Sequence, residues 1–242
     1  METMRDTWMR LPGTARALLP GLIVSALALW GFIELLDEVL ERARFEGVDT
    51  PAISWFAENR SEALTAVMTA ITNAFGPVVL PIVIAIGCGV WIWRTREWRD
   101  PAMLVGAMIV STLLSMVIKT IVERPRPPED LQVIPGFEES FSFPSGHTTG
   151  AATLVLVTGY LLWREGRSKR ALAAWALSSV VVIALVAVTR MYLGYHFLSD
   201  VLAGACLGLF VLGLVIMVDR WIDLRMSRAY GRPSSAELRT RS

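Results

Sequence analysis

The chain has 242 residues, 54% of them hydrophobic, and its 23 basic residues nearly balance its 22 acidic ones. A mean hydropathy of +0.50 is high for a soluble globular protein and indicates membrane segments. The net charge of only +1, with basic residues spread over short loops, argues against nucleic-acid binding.

Six apolar runs have about the length that a bilayer crossing needs, roughly 20 residues. In chain order they are 17–36, 77–93, 101–122, 148–163, 171–188 and 196–218. The first run could be a cleaved signal peptide, but it continues past Ala28 to Leu36, which favours a retained anchor. The stretch 51–76 is too polar to cross, and its apolar residues at helical spacing predict a helix at the outer interface or one packed over the loops.

These runs predict an all-α fold, an integral membrane bundle of six transmembrane helices with an extracytoplasmic interfacial helix. Most basic residues fall in segments on the same side as the N-terminus, so the positive-inside rule predicts cytoplasmic termini. The predicted layout is a cytoplasmic N-terminus (1–16), a membrane domain (17–218) and a basic cytoplasmic tail (219–242). We expect the tail to be disordered or to lie on the inner membrane surface.

The two cysteines, Cys88 and Cys206, both fall within apolar runs and are expected to be buried and inert. Two histidines and two isolated cysteines do not provide the spacing of a Cys/His zinc site. The sequence therefore predicts no metal site.

The first polar cluster, 119–127, follows the third apolar run and contains Lys119 and Arg126. Cations at a helix end often only reach for the membrane interface. Clustered cations repel one another unless an anion lies among them, and guanidinium groups match phosphate oxygens in a bidentate way. We assign no catalytic role to Glu123 and Arg124 in this cluster.

The second cluster reads Phe-Pro-Ser-Gly-His and stands directly before the fourth run. A helix N-terminus favours an anion, Gly146 permits close backbone approach, and Ser145 can donate its hydroxyl. The alternative is an ordinary N-cap serine without a ligand. The adjacent His147 favours a binding site.

The third cluster contains Arg190, His196 and Asp200. A helix that begins near His196 would place His196 and Asp200 one turn apart on the same face. Asp200 could then accept a hydrogen bond from the proton-bearing imidazole nitrogen and leave the other nitrogen free as a nucleophile. The alternative is a buried structural His–Asp pair.

Together the three clusters resemble the signature of the type-2 phosphatidic acid phosphatase superfamily. The matching residues are Lys119 with Arg126-Pro127, then Pro144-Ser145-Gly146-His147, then Arg190, His196 and Asp200. One position departs from the pattern, since Thr189 stands where the family usually has serine. The clusters span residues 119–200, and the six predicted spans extend the resemblance to most of the chain.

The resemblance implies a catalytic role for three residues. His196 attacks phosphorus and forms a phosphohistidine, Asp200 orients it, and His147 protonates the leaving oxygen. The phosphate oxygens are held by Lys119, Arg126, Arg190, Ser145 and the backbone N–H of Gly146. No metal or other cofactor is implied, because the cations supply the charge stabilisation.

The expected substrate is a lipid phosphate in the bilayer: phosphatidate, phosphatidylglycerophosphate or undecaprenyl diphosphate. The stretch 122–144, with Glu129, Asp130, Glu138 and Glu139, is expected to shape the entrance on the extracytoplasmic side of the cell membrane. Two alternatives remain open: a lipid-linked phosphotransferase that uses the same histidine, and a non-catalytic lipid-phosphate binding or transport protein. A vanadium haloperoxidase shares the site design, but six spans argue against it.

Overall fold

The computed structural model describes residues 12–41, 46–164, 166 and 168–230, and across these residues the chain forms helices and no β-strand. The predicted all-α class is therefore confirmed. The elements of the described chain are α1 (Gly13–Glu41), α2 (Glu46–Glu58), α3 (Glu62–Ala74), α4 (Val79–Thr95), α5 (Arg99–Val122), a 3-10 turn (Glu129–Leu131), α6 (Gly146–Trp163), α7 (Lys169–Tyr192) and α8 (Leu198–Tyr230).

Each predicted apolar run lies within one long helix or begins two residues before that helix. Among the described residues, α1, α5, α7 and α8 are long and apolar enough to cross a membrane. The pair of α3 and α4, bent by 52° at its break, is a fifth candidate. Helix α6 is not apolar enough to be counted with these candidates, because polar residues fill its first turns. The count of six spans therefore stays a prediction.

The predicted interfacial stretch forms two helices, α2 and α3, where a single helix was expected. Ser61 caps α3, since its hydroxyl accepts a hydrogen bond from the N–H of Leu64 at 3.3 Å. The helix packs over the end of α7, where the hydroxyls of Thr65 and Tyr192 lie 3.1 Å apart. How α2 and α3 lie relative to a bilayer stays a prediction.

Helices α6 and α8 form the centre of the bundle. One core cluster joins α4, α5, α6 and α8 through buried aliphatic side chains, among them Leu104, Val157, Leu161, Val211 and Val215. Cys88 is buried in this cluster, and Cys206 is half-buried. A Cβ on Gly204 would lie 2.8 Å from the carbonyl oxygen of Ser145, so only glycine lets α8 pack this closely against the start of α6.

The long helices expose large apolar side chains on their outer faces. Leu27 and Trp30 of α1 and Leu177 and Val180 of α7 are each 62 to 67% exposed. A water-soluble protein rarely exposes apolar surface on this scale, whereas lipid chains would cover it.

The end of the bundle formed by the start of α5 and the ends of α6 and α8 is closed by ion pairs. Asp219 accepts hydrogen bonds from Arg99 at 2.8 Å and from the Tyr160 hydroxyl at 2.6 Å, and it is ion-paired with Arg164. Because Asp219 is buried in this network, α8 continues across the predicted tail boundary at residue 219. Residues 1–11 and 231–242, which hold most of the predicted N-terminal segment and the rest of the predicted tail, lie outside the described residues.

Candidate active site

Three chain segments meet at the opposite end of the bundle: the end of α5 with the loop after it, the start of α6, and the turn between α7 and α8. Glu123 ends α5 in the left-handed conformation, with φ of 49°. The N–H of Ser142 donates to the carbonyl of Arg124 at 2.9 Å, so the loop 123–145 folds back over the helix ends. This fold brings the three sequence clusters into one site.

The turn between α7 and α8 packs tightly against that loop. Gly194 has φ of 82°, and a Cβ there would lie 2.0 Å from the carbonyl oxygen of Leu131. The N–H of Val133 donates to the carbonyl of Leu193 at 3.0 Å and fixes the same contact. A residue larger than glycine at 194 would therefore push the loop away from the turn.

His196 and Asp200 form a buried pair at the start of α8, with 1% and 0% of their surfaces exposed. His196 Nδ1 lies 3.3 Å from Asp200 Oδ2, although α8 begins at Leu198 and not at His196. The same oxygen accepts the N–H of Phe197 at 2.9 Å. The imidazole therefore turns its Nε2 away from Asp200, and that atom lies 3.3 Å from a guanidinium nitrogen of Arg126.

The surroundings of His196 keep the imidazole neutral. Burial lowers the pKa of His196 well below 6.5, and the positive charges of Arg190 and Arg126 lower it further. A neutral imidazole that donates from Nδ1 to a carboxylate presents a lone pair on Nε2. The pair can therefore supply a nucleophile near neutral pH.

Three cations from the sequence clusters lie around this nitrogen. Arg126 donates to the carbonyls of Ser140 at 2.6 Å and Tyr195 at 2.7 Å, so its guanidinium is held firmly by the backbone. Arg190 is 1% exposed, donates to the hydroxyl of Thr72 at 2.9 Å and stacks over the ring of Tyr195 at 5.0 Å. The Lys119 ammonium donates to the carbonyls of Phe141 and Ser142.

The start of α6 contributes Ser145, Gly146 and His147. The N–H of Ser145 donates to the carbonyl of Asp200 at 3.0 Å, which ties the α6 start to α8. The Ser145 side chain makes no capping bond to the backbone of α6 and accepts from the Thr148 hydroxyl at 3.2 Å. His147 reaches the bend between α3 and α4, where a Cβ on Gly76 would lie 3.5 Å from its Nε2.

Glu138 lies among these cations, although the sequence predicts it only at the entrance of the site. It is ion-paired with Arg190 and, at 2.7 Å, with Arg126, and its Oε2 lies 4.0 Å from His196 Nε2. Burial raises the pKa of Glu138, but the positive charges of Arg190 and Arg126 outweigh that effect and lower it to about 2. Glu138 is therefore ionised and supplies one negative charge to the cluster.

The carboxylate of Asp200 is supported by residues that sequence reasoning missed. Arg124 donates to Asp200 Oδ1 at 2.5 Å and to Asp49 of α2 at 2.8 Å. Ser142 donates its hydroxyl to Asp200 Oδ2, and Ser199 donates its hydroxyl to Asp49 at 2.5 Å. The Arg-Pro-Arg-Pro repeat was the one local signal for Arg124; Asp49 had none, because it lies about 75 residues away.

The position that departs from the family pattern faces its own helix. The Thr189 hydroxyl donates to the carbonyl of Val186 at 2.7 Å, and the side chain is fully buried.

Among the described residues, no group of three or more His, Cys, Asp or Glu side chains is arranged to hold a metal ion.

Comparison with known families gives a match over residues 100–223, which fit the model of the PAP2 superfamily. The chain is 37% identical over 166 residues to phosphatidylglycerophosphatase B of Bacillus subtilis, covering 67% of this chain and 79% of that protein. It is 28% identical over 158 residues to lipid A 4'-phosphatase of Porphyromonas gingivalis, covering 58% of this chain and 64% of that protein.

Solved structures share the fold. The crystal structure of a transmembrane PAP2-type phosphatidylglycerolphosphate phosphatase from Bacillus subtilis superposes with a TM-score of 0.74 at 29% identity, covering 82% of this chain and 96% of that one. LpxE of Aquifex aeolicus superposes with a TM-score of 0.53 at 22% identity, covering 71% of this chain and 95% of that one, which shows the fold alone.

Proposed function

Because this chain belongs to the PAP2 superfamily, we propose that it is a membrane lipid phosphatase that works through a phosphohistidine intermediate without a metal ion. One observation carries the proposal: a buried imidazole presents Nε2 to a cluster of cations while its Nδ1 faces a carboxylate. A purely structural His–Asp pair does not need cations gathered around its second nitrogen.

In the first step, His196 Nε2 attacks the phosphorus of the terminal phosphate and the bond from phosphorus to the leaving oxygen breaks. Asp200 accepts a hydrogen bond from the N–H at Nδ1 and stabilises the positive charge that develops on the ring. His147 donates a proton to the leaving oxygen, which departs as a lipid alcohol or a lipid monophosphate. Such acid catalysis contributes about 10²- to 10⁴-fold in rate.

In the second step, water attacks the phosphohistidine and releases inorganic phosphate. His147, now without its proton, accepts one from the water, and the bond between Nε2 and phosphorus breaks. The protein thereby returns to its starting state with a neutral His196. Throughout both steps the cations do what a metal ion does in other phosphoryl-transfer sites, which is to stabilise charge on the equatorial oxygens.

The phosphate oxygens are assigned to Lys119, Arg126, Arg190, Ser145 and the N–H of Gly146. The first N–H groups of α6 lack acceptors within the helix, and the helix dipole favours an anion there. The Ser145 hydroxyl makes no capping bond to the backbone of α6, which supports a ligand more than an ordinary N-cap serine.

A lipid substrate fits a site at the end of an apolar bundle, because the chains of the lipid can stay in the bilayer while its headgroup enters. Phosphatidylglycerophosphate is the first candidate, given the names of the Bacillus subtilis relatives, followed by undecaprenyl diphosphate and phosphatidate. No feature of the described residues favours a phosphotransferase over a hydrolase.

The test is release of inorganic phosphate from these three lipids by purified protein in detergent, with EDTA present. We expect release that survives EDTA and falls at least about 10⁴-fold in His196→Ala. Phosphate that appears only after an acceptor alcohol is added would replace the hydrolase with a transferase. Binding of the lipids without release or transfer would identify a binding protein.

The proposed topology has cytoplasmic termini, six spans and the site on the extracytoplasmic side. This orientation is supported by the described basic residues at the end away from the site: Arg94, Arg96, Arg99, Arg164, Lys169 and Arg170. In a background without Cys88 and Cys206, an impermeant maleimide added to intact cells should label Glu139→Cys and spare Glu97→Cys. The reverse labelling would invert the topology.

A further inference from the structure

Glu138 holds the position that a phosphate would need. Its two carboxylate oxygens divide between two arginines, Oε1 to Arg190 and Oε2 to Arg126, and Oε2 is 4.0 Å from the nitrogen of His196 that faces away from Asp200. A tetrahedral anion bridging the same two guanidinium groups would meet this nitrogen. The carboxylate and a phosphate cannot bind there together.

The chain around Glu138 makes this contact a built feature. On one side, Gly136 has φ of 68° and its N–H donates to the amide oxygen of Gln132 at 3.2 Å. Gln132 is buried and its amide donates to the carbonyl of Pro127 at 2.8 Å. On the other side, Arg126 binds both the carbonyl and the hydroxyl of Ser140. The neighbouring Glu139 is exposed and is not part of the ion pairs of Arg126 and Arg190.

An ion that enters the site must displace a charged group from two charge-assisted hydrogen bonds. Free phosphate has only its own charge with which to do so. A lipid phosphate also gains binding free energy from its chains in the bilayer, and such remote binding can be spent at the reacting group. A resident carboxylate therefore lowers the affinity of the site for both anions by a similar factor. The lipid phosphate, which starts from the higher affinity, still binds at concentrations at which free phosphate does not.

We propose that Glu138 is an internal competitor that keeps free phosphate anions out of the site at concentrations at which membrane-anchored phosphates still bind. Because inorganic phosphate is also the product, the returning carboxylate displaces it after each turnover. This inference rests on the proposed function, since it assumes that the cations bind the phosphate of a substrate.

The test compares wild type with Glu138→Gln and the matched control Glu139→Gln, using inorganic phosphate as the probe in equilibrium binding to detergent-purified protein. We expect Glu138→Gln to bind phosphate about 10-fold more tightly or better, because the competing charge is gone. Glu139→Gln should bind like wild type. Should Glu138→Gln fail to fold, Glu138→Ala gives the same comparison.

Turnover gives a second readout with the same proteins. Loss of Glu138 should raise kcat/KM for the water-soluble monoester p-nitrophenyl phosphate and for a lipid phosphate, and should strengthen product inhibition by phosphate. Phosphate binding that is unchanged or weaker in the variant overturns the inference. A fall in kcat on both substrates also overturns it, because Glu138 would then take part in the chemistry.

The two proposals can fail separately. Tighter phosphate binding in Glu138→Gln, with no phosphate released from any lipid by wild type, would support the competing role of Glu138 and contradict the proposed phosphatase activity. Lipid hydrolysis by wild type, with equal phosphate binding in all three proteins, would support the phosphatase and contradict the competing role of Glu138.

Discussion

The two ends of the bundle both bury arginines and carboxylates, but they match these charges differently. At the end that contains Asp219, Arg99 also binds Asp223, and Arg164 also binds Asp100. At the site end, Arg124 is paired with Asp49 and Asp200, but Arg126 and Arg190 share the single carboxylate of Glu138. The nearby Lys119 has only carbonyl partners among the described residues.

The difference separates a structural network from a binding site. Asp200 and Asp219 are 19 positions apart on α8, or about 28 Å at the rise of an α-helix, so the clusters are physically independent. Paired charges at the Asp219 end satisfy one another and hold α5, α6 and α8 together. Excess positive charge at the site end is costly without an anion, which is the condition of a phosphate site.

The largest expected effect is a loss of stability at the end of the bundle that contains Asp219. Asp219→Asn leaves buried arginines without their shared carboxylate and should lower the free energy of unfolding by about 3–5 kcal/mol. Thermal unfolding in detergent measures this, and kcat of the folded fraction should stay unchanged. Asp223→Asn is the control, since that carboxylate is 25% exposed and its loss should cost less than about 1 kcal/mol.

A substitution at the site end should have the reverse signature. Arg190→Lys keeps the charge but loses the planar fork, so kcat/KM should fall about 10²- to 10³-fold. The matched control is Arg170→Lys at the exposed start of the same helix, which should be silent. If Arg190→Lys kept wild-type kcat/KM, Arg190 would not bind phosphate as a fork.

A smaller effect is expected from the support of Asp200. Arg124→Gln removes a charge-assisted bond worth about 1.5–3 kcal/mol, so kcat should fall roughly 10- to 100-fold with little change in KM. Asp49→Asn should act in the same direction, and the double variant should be less than additive, because both act through one network. Full additivity would separate Asp49 from the site.

The smallest effect concerns the departure from the family pattern. Thr189→Ser keeps the hydroxyl that binds the carbonyl of Val186 and removes one buried methyl group. Stability should fall by about 1 kcal/mol, and activity should stay within about twofold. A tenfold change in activity would mean that the methyl group shapes the phosphate site.

Local patterns in the sequence predict the helices well, because apolar runs are local signals. The same patterns place Lys119 at the end of α5, Ser145 at the start of α6 and His196 at the start of α8, so helix ends alone suggest that the clusters meet. The His–Asp pair forms even though α8 begins two residues later than expected, since the turn before it keeps the two side chains together.

Long-range charge pairing escapes such patterns. Nothing near Asp49 indicates that it binds Arg124, and nothing near Glu138 distinguishes it from the exposed Glu139. The predicted tail is a similar case, because the burial of Asp219 against Arg99 draws residues after 218 into α8. These features depend on how distant segments are brought together and not on local sequence.

Covalent labelling of His196 tests the central claim most directly. Wild-type protein is mixed with a lipid phosphate carrying ³²P in its terminal group, quenched within milliseconds in alkali, and the protein is counted. A label that is stable to alkali, lost in acid and missing from His196→Ala is the predicted result, because phosphohistidine has that stability. Turnover by wild type with no such label at any quench time, or equal labelling of His196→Ala, would contradict the assignment of His196 as the nucleophile.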